Sequence, residues 1–272
     1  MILYYKYYNM LLNDKRKKYE EDIKKRKIIQ NIIYNQPYIF FKPDYNPIVP
    51  LKIFQTWYIK DLPPKMNERV ETLKRQNPIF EHFLYDDNDC RELIKNNFNP
   101  HVLEAYDKLV PGAYKADLWR LCVLYIYGGI YVDIKLLCIN GFKLIELTEQ
   151  NHFVRDRPKP LSIYNSIMVC QKNHPFLIMA INNIVNNVKN KFYGSHPLDP
   201  TGPLMLGKLI LRNKLKLNID MTHHEDGGYI IYKNRFVIST EYPEYNNERT
   251  ATYNIINTKR YDGLWYDKYI YK

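Results

Sequence analysis

Four cysteines in 272 residues, Cys90, Cys122, Cys138 and Cys170, fall at no paired or metal-like spacing. That excludes a disulfide framework and a thiolate metal site, and a reducing compartment becomes the default. Cys122 and Cys170 stand in apolar patterns, where cysteine acts as a small hydrophobe. A membrane-spanning run is also missing. Met1 to Leu12 carries Lys6, is too short to cross a bilayer, and is followed by no small-residue cleavage site. Neither a signal peptide nor a transmembrane segment is expected, and the expected location is cytoplasmic. Internal repeats and low-complexity tracts are absent. No recognisable DNA- or RNA-binding motif accompanies the basic charge, so nucleic acid is not an expected partner.

What is present begins with that charge. A formal +11 suits an anionic ligand. Lys, Asn, Ile and Tyr are all abundant, as codon bias in an AT-rich microbe or large DNA virus would make them, which weakens the link from charge to partner. The charge is uneven: residues 1–34 hold nine Lys or Arg against four Asp or Glu. Asn13 to Tyr34 reads as a polar, basic helix, expected to be a solvated extension packing on the main domain. Peripheral contact with an anionic membrane is the alternative. Asn35 to Pro50, with its prolines, reads as a linker, so residues 1–46 form an extension and 47–272 one main domain. In that domain short strands alternate with helical patterns, the mark of an α/β fold with a mostly parallel sheet.

The most informative stretch runs from Tyr114 to Lys135. Leu118, Leu121, Cys122 and Tyr125 recur at helical spacing and predict a helix over 113–127, with Pro111-Gly112 before it and Gly128-Gly129 as its stop. Asp117 and Arg120 lie off that stripe, one turn apart on a shared face; taken singly they also suit a surface ion pair worth ~0.3–0.5 kcal/mol. Residues 130–135 then alternate as a strand, with Tyr131, Asp133 and Lys135 on one face. Helix, double glycine and strand deliver five polar or aromatic groups to the carboxyl end of a strand, where open α/β sheets bind ligands. Elsewhere, His174-Pro175 reads as a helix entry with proline at the first position. His223-His224-Glu225-Asp226 is drawable as a metal site, but its setting in an apparent loop argues against that.

With these blocks in view, the chain resembles glycosyltransferase family 32, the DXD-motif sugar transferases, and more distantly the glucosylating toxins of clostridia. The resemblance spans residues 47 to 271. It rests on Pro50 to Trp57 as an opening strand, Asn77-Pro78 to Asp87 as a second, the central block, Asn165 to Cys170 with His174-Pro175-Phe176, Thr201-Gly202-Pro203, and Gly263-Leu264-Trp265. It implies a GT-A type α/β fold and a retaining transferase acting on a nucleotide-sugar donor and a glycan or glycoprotein acceptor. By the same resemblance Trp57 stacks on the base and Tyr131 lies beside the nucleoside, an arrangement that favours a UDP-sugar over GDP-mannose. Asp117 and Arg120 hold the sugar hydroxyls and the diphosphate side, Asn165 lines the sugar pocket, and Trp265 closes over the donor from a mobile C-terminal loop.

One departure stands out. The motif's second carboxylate is Lys135 here, and an ammonium has no lone pair for a metal. Asp133 keeps the first place and would be the ligand only if manganese or magnesium is bound. Arg260 stands near the family's other metal-facing position, and Gly263 where the toxins place a hydroxyl. The expectation is therefore a metal-independent or weakly metal-dependent enzyme in which Lys135 and Arg260 replace the ion. The alternative is a nucleotide-sugar-binding protein with little activity.

Overall fold

The computed structural model describes residues 2–39, 42, 44–156, 162–224 and 226–272. Helix α1 (Ile2–Tyr34) leads into the chain, and among the described residues no helix is long and apolar enough to cross a membrane. Strand β1 (Lys52–Thr56), helix α2 (Pro64–Gln76), strand β2 (Glu81–Tyr85) and helices α3 (Asp87–Asn97) and α4 (Pro100–Lys108) follow. Helix α5 (Gly112–Tyr127) runs into β3 (Gly129–Val132). Then come β4 (Leu137–Cys138), β5 (Val154–Arg155), β6 (Ile167–Cys170), α6 (Pro175–Lys189) and α7 (Pro203–Arg212). Strands β7 (Met221–His223), β8 (Tyr229–Tyr232) and β9 (Arg235–Ser239) precede α8 (Tyr245–Ile255) and α9 (Tyr261–Tyr266).

Local signals explain most starts and stops. Helices α2, α4, α6 and α7 each open on proline, whose missing N–H is an orphan there in any case. Asp86 and Asp89 cap α3 reciprocally, at 2.8 and 3.2 Å. The double glycine serves two purposes. Gly128 turns the chain out of α5 at φ 63°, and a Cβ on Gly129 would sit 2.7 Å from the Lys52 carbonyl oxygen. Only glycine lets β3 lie against β1 at that point.

The main sheet has the order β2-β1-β3-β6, with β1 parallel to both β2 and β3, and β6 antiparallel on the far side. This is the mixed, mostly parallel sheet flanked by helices that the resemblance implies. Period-two alternation divides its faces. Phe54, Tyr131, Met168 and Cys170 pack under α5, while Ile53, Ile130, Val132, Ile167 and Val169 face a second sheet of order β4-β9-β8-β7-β5.

Two expectations are corrected here. Helix α5 has no single apolar stripe. Leu118, Trp119, Leu121, Cys122, Val123 and Leu124 are all buried, because sheet and helices enclose it on every side, and Asp117 and Arg120 are buried with them. A surface ion pair is therefore excluded. Nor does the strand continue to Lys135. It ends at Val132, where Asp133 N–H bonds the Ser166 carbonyl (2.7 Å) and a turn closes by Leu136 N–H to the Asp133 carbonyl (2.9 Å). The turn sends the chain into the second sheet, so Asp133 and Lys135 do not share a strand face.

The stretch expected to be a linker lies against the main domain in its described residues. Ile48 and Val49 N–H both reach the Thr148 carbonyl, the Tyr38 hydroxyl bonds Glu146 at 3.2 Å, and Val49 is fully buried. Tyr34, at the end of α1, packs against His224 and Phe236.

Candidate active site

At the carboxyl ends of β1 and β3 lies a cavity of about 340 Å³, walled by the starts of α3 and α5, the segment before β6, and helices α8 and α9. That volume suits a small-molecule ligand. Its floor is a charged cluster built from α5. The Asp117 carboxylate accepts from Asn165 Nδ2 (2.8 Å) and Thr201 Oγ1 (2.7 Å), and Arg120 Nη2 lies 3.3 Å from its Oδ1. Arg120 Nε donates to the Ala116 carbonyl (3.1 Å), and Nη1 reaches both the Asn165 carbonyl and Asp133 Oδ1, the latter at 3.4 Å. The guanidinium also lies 4.4 Å from the centre of the Tyr131 ring. Tyr131 donates its hydroxyl proton to Asp133 Oδ1 at 2.7 Å. One buried cation thus locks two carboxylates, two carbonyls and an aromatic ring into a single arrangement.

The electrostatics follow from burial. Burial pushes the Asp117 carboxyl up, while Arg120, Thr201 and Asn165 pull the other way without cancelling it. Burial also opposes charge on Arg120, yet Tyr131, Asp133 and Asp117 together hold its pKa above the usual guanidinium value. Asp87, at the start of α3, is pushed up to about 6 by burial, against the pull of Lys115.

The roof carries the remaining charge. Lys135 Nζ and the Arg249 guanidinium lie 5.3 and 5.2 Å from the same ring, that of Tyr245. The Lys135 carbonyl accepts from Arg69 Nε (3.0 Å), which braces the turn. Arg260 lines the cavity from the start of α9, its Nε 3.5 Å from Asp262. Trp57, directly after β1, is buried between Tyr58 and Tyr245, and its indole Nε1 has no hydrogen-bond partner.

Trp57, Asp117, Arg120, Tyr131, Asp133, Lys135, Asn165 and Arg260 therefore converge on one cavity. Trp265 does not line it. It sits in α9, not in an open loop, packs against the core, and donates Nε1 to the Tyr193 carbonyl at 2.8 Å. Short-range apolar packing of α9 holds it there. Tyr131 offers no open face, since it is buried beneath Arg120 and beside Trp119. Sequence reasoning missed Asp87, Tyr164, Thr201 and the α8 residues Tyr245, Arg249 and Tyr253. The last three stand four apart, a helical stripe visible in the sequence, but in a polar segment where nothing distinguishes it from a solvated face.

A divalent ion does not fit this donor set. Asp133 is one carboxylate with Oδ1 already engaged by Tyr131 and Arg120, and the neighbouring motif position offers an ammonium. Among the described residues no group of three His, Cys, Asp or Glu is placed to hold a metal. His223, the last residue of β7, instead faces Asp156 (3.2 Å) and stacks on Tyr164 (4.1 Å), while Glu225 lies outside the described residues.

The site is a cavity in a mixed α/β domain, with a buried acid–arginine cluster for its floor and cations in its roof, a setting suited to an anionic small-molecule ligand. Comparison with known proteins finds similarity in one region of the chain. Residues 63–154 match the family described as glycosyltransferase sugar-binding region containing DXD motif, and the chain carries that region. It is 33% identical over 159 residues to inositol phosphoceramide mannosyltransferase 3 of Schizosaccharomyces pombe, covering 58% of this chain and 44% of the relative. It is 36% identical over 93 residues to an uncharacterized glycosyltransferase of Acanthamoeba polyphaga mimivirus, covering 34% and 37%. The chain thus spans less than half the length of these relatives. Among solved structures, the PaToxG glycosyltransferase is similar at TM-score 0.48 and 16% identity, over 62% of this chain and 72% of that one.

Proposed function

We propose that this chain is a glycosyltransferase domain that moves a hexosyl group from a nucleoside-diphosphate sugar to a glycan, glycoprotein or glycolipid acceptor, with retention of configuration. The observation that carries the proposal is the convergence of Asp117, Arg120, Asp133 and Lys135 on one cavity within the DXD region. As the bond from the sugar to the diphosphate breaks, negative charge grows on the leaving group. Lys135 and Arg260 line the cavity and supply cations for it, the role an ion fills in enzymes that keep both carboxylates. Asp117 and Asn165, fixed against each other, present oxygen and nitrogen to the sugar hydroxyls.

The lean towards a UDP-sugar comes from the resemblance, which sets Trp57 and Tyr131 together about the nucleoside, and both rings are largely buried. Names among the relatives, inositol phosphoceramide mannosyltransferase and initiation-specific alpha-1,6-mannosyltransferase, support mannose as the transferred sugar and GDP-mannose as the first donor to try.

The test is donor hydrolysis and transfer with GDP-mannose and several UDP-hexoses, in excess EDTA and with manganese, for wild type, Lys135→Ala and Lys135→Asp. Inositol phosphoceramide and a mannose-terminated glycan serve as acceptors. Turnover in EDTA that falls at least about tenfold in Lys135→Ala is expected from loss of one charge-assisted contact. Strict manganese dependence would remove the metal-free part of the proposal. Donor binding without turnover would make the chain a nucleotide-sugar-binding protein.

A further inference from the structure

The cations around the cavity are not equally free to meet a ligand. Arg120 is spent on Ala116, Asn165, Asp117 and Asp133. Arg260 shares its charge with Asp262. Lys135 and Arg249 have no carboxylate within 4 Å among the described residues, and both lie against Tyr245. Arg249 Nη2 donates to Asn246 Oδ1 (2.9 Å), whereas its Nε is buried and makes no hydrogen bond, so the wall of the cavity holds a guanidinium with an unused donor.

Its placement is built into α8. Tyr245, Arg249 and Tyr253 stand at i, i+4 and i+8 and all line the cavity. The guanidinium sits 5.2 Å from the first ring and 5.9 Å from the second. On the adjoining face, the Glu248 carboxylate accepts from Lys65 N–H (2.8 Å) and Met66 N–H (3.0 Å), two orphan donors in the first turn of α2, and from the Tyr242 hydroxyl (2.7 Å). Thr252, one turn on, is buried. These contacts fix the rotation of α8, and with it the aim of Arg249.

We infer that Arg249 binds the diphosphate of the donor together with Lys135, which makes α8 the phosphate clamp of the site. The inference rests on the transferase reading and adds to it the residue that grips the leaving group. A guanidinium fork held between two rings is pre-organised for a diphosphate in a way a lone lysine is not.

The test is calorimetric titration of the full chain in EDTA with GDP and UDP, and with guanosine and uridine as phosphate-free controls. Arg249→Gln should bind the preferred diphosphate about 10- to 100-fold more weakly, the loss of one charge-assisted hydrogen-bonding group, and the matching nucleoside unchanged. Arg260→Gln should lose less than Arg249→Gln. Arg249→Lys, the milder variant should the glutamine protein fail to fold, should recover part of the affinity, and the difference between variants should shrink as salt rises. Wild-type affinity for the diphosphate in folded Arg249→Gln would overturn the inference, as would an equal loss for nucleoside, which marks packing in place of phosphate contact. If wild type binds neither diphosphate, the transferase reading itself fails, and the wild-type titration alone reveals it.

Discussion

Arg120→Met should destabilise the protein more at pH 7.5 than at pH 5. Arg120 is buried, and it faces a carboxylate, Asp117, that is itself only 8% exposed. Removing one member of such a pair leaves a charge with no compensation, which costs about 3–5 kcal/mol. At ~2–4 °C per kcal/mol for a domain of this size, the melting temperature should fall by about 6–20 °C. The pH dependence follows from Asp117. Burial already raises its folded-state pKa above the unfolded value even with Arg120 present, and losing the guanidinium raises it further. A carboxyl raised in this way favours folding below its unfolded pKa, and that contribution is lost as pH rises through the folded pKa. The variant's deficit therefore grows with pH. Thermal melts by circular dichroism at the two pH values measure it. A cycle with Asp117→Asn should show that the double variant is less damaged than the sum of the singles. Arg120→Lys should recover little, since one ammonium cannot span Ala116, Asn165 and both carboxylates. A loss under ~1 kcal/mol, or one that is additive and independent of pH, would refute the account of the buried cluster.

Asp87→Asn should act in the opposite direction. With the carboxyl pushed up to about 6 by burial, wild type loses stability as pH rises from 4 towards 8. The variant should gain on the order of 1–3 kcal/mol over wild type at pH 8 and little at pH 4, read from paired melts. Deletion of residues 1–34 should leave nucleotide-sugar affinity intact, whereas deletion through Pro50 should lower the melting temperature, because Tyr38 and Val49 are core residues. Calorimetry and melts of the two truncations separate the cases, and equal stability of both would contradict the packing of Tyr38 and Val49.

Much of the site was legible because its signals are local. Helix α5, the double glycine and the start of β3 follow from spacing and from glycine's conformational range, and His174-Pro175 does open α6. What failed was non-local. The alternation from Ile130 to Lys135 looks like one strand, yet the turn closed by Leu136 N–H on the Asp133 carbonyl ends it after Val132. Taken singly, Asp117 and Arg120 also suited a surface pair, because Asn165 and Thr201, which make their burial tolerable, lie far along the chain. Trp265 was placed by resemblance, and the packing that holds it against Tyr193 leaves no pattern in the sequence. Arg249 was invisible for a plainer reason: a basic residue among asparagines and threonines is what a solvated helix also contains.

The long reach of the Asp117 contacts also bears on the order in which the molecule takes shape. Asn165 stands 48 residues downstream of Asp117 and Thr201 stands 84 downstream. While the polypeptide emerges from the ribosome, α5 is complete long before either partner exists. Until then Asp117 and Arg120 are hydrated neighbours on a helix, with no reason to leave water. Closing loops of that length carries an entropic cost before the contacts return anything. The cavity floor is therefore among the last parts to dry, after the helix that carries its charges has formed. A nascent chain halted before Thr201 should keep α5 wet on the Asp117 face.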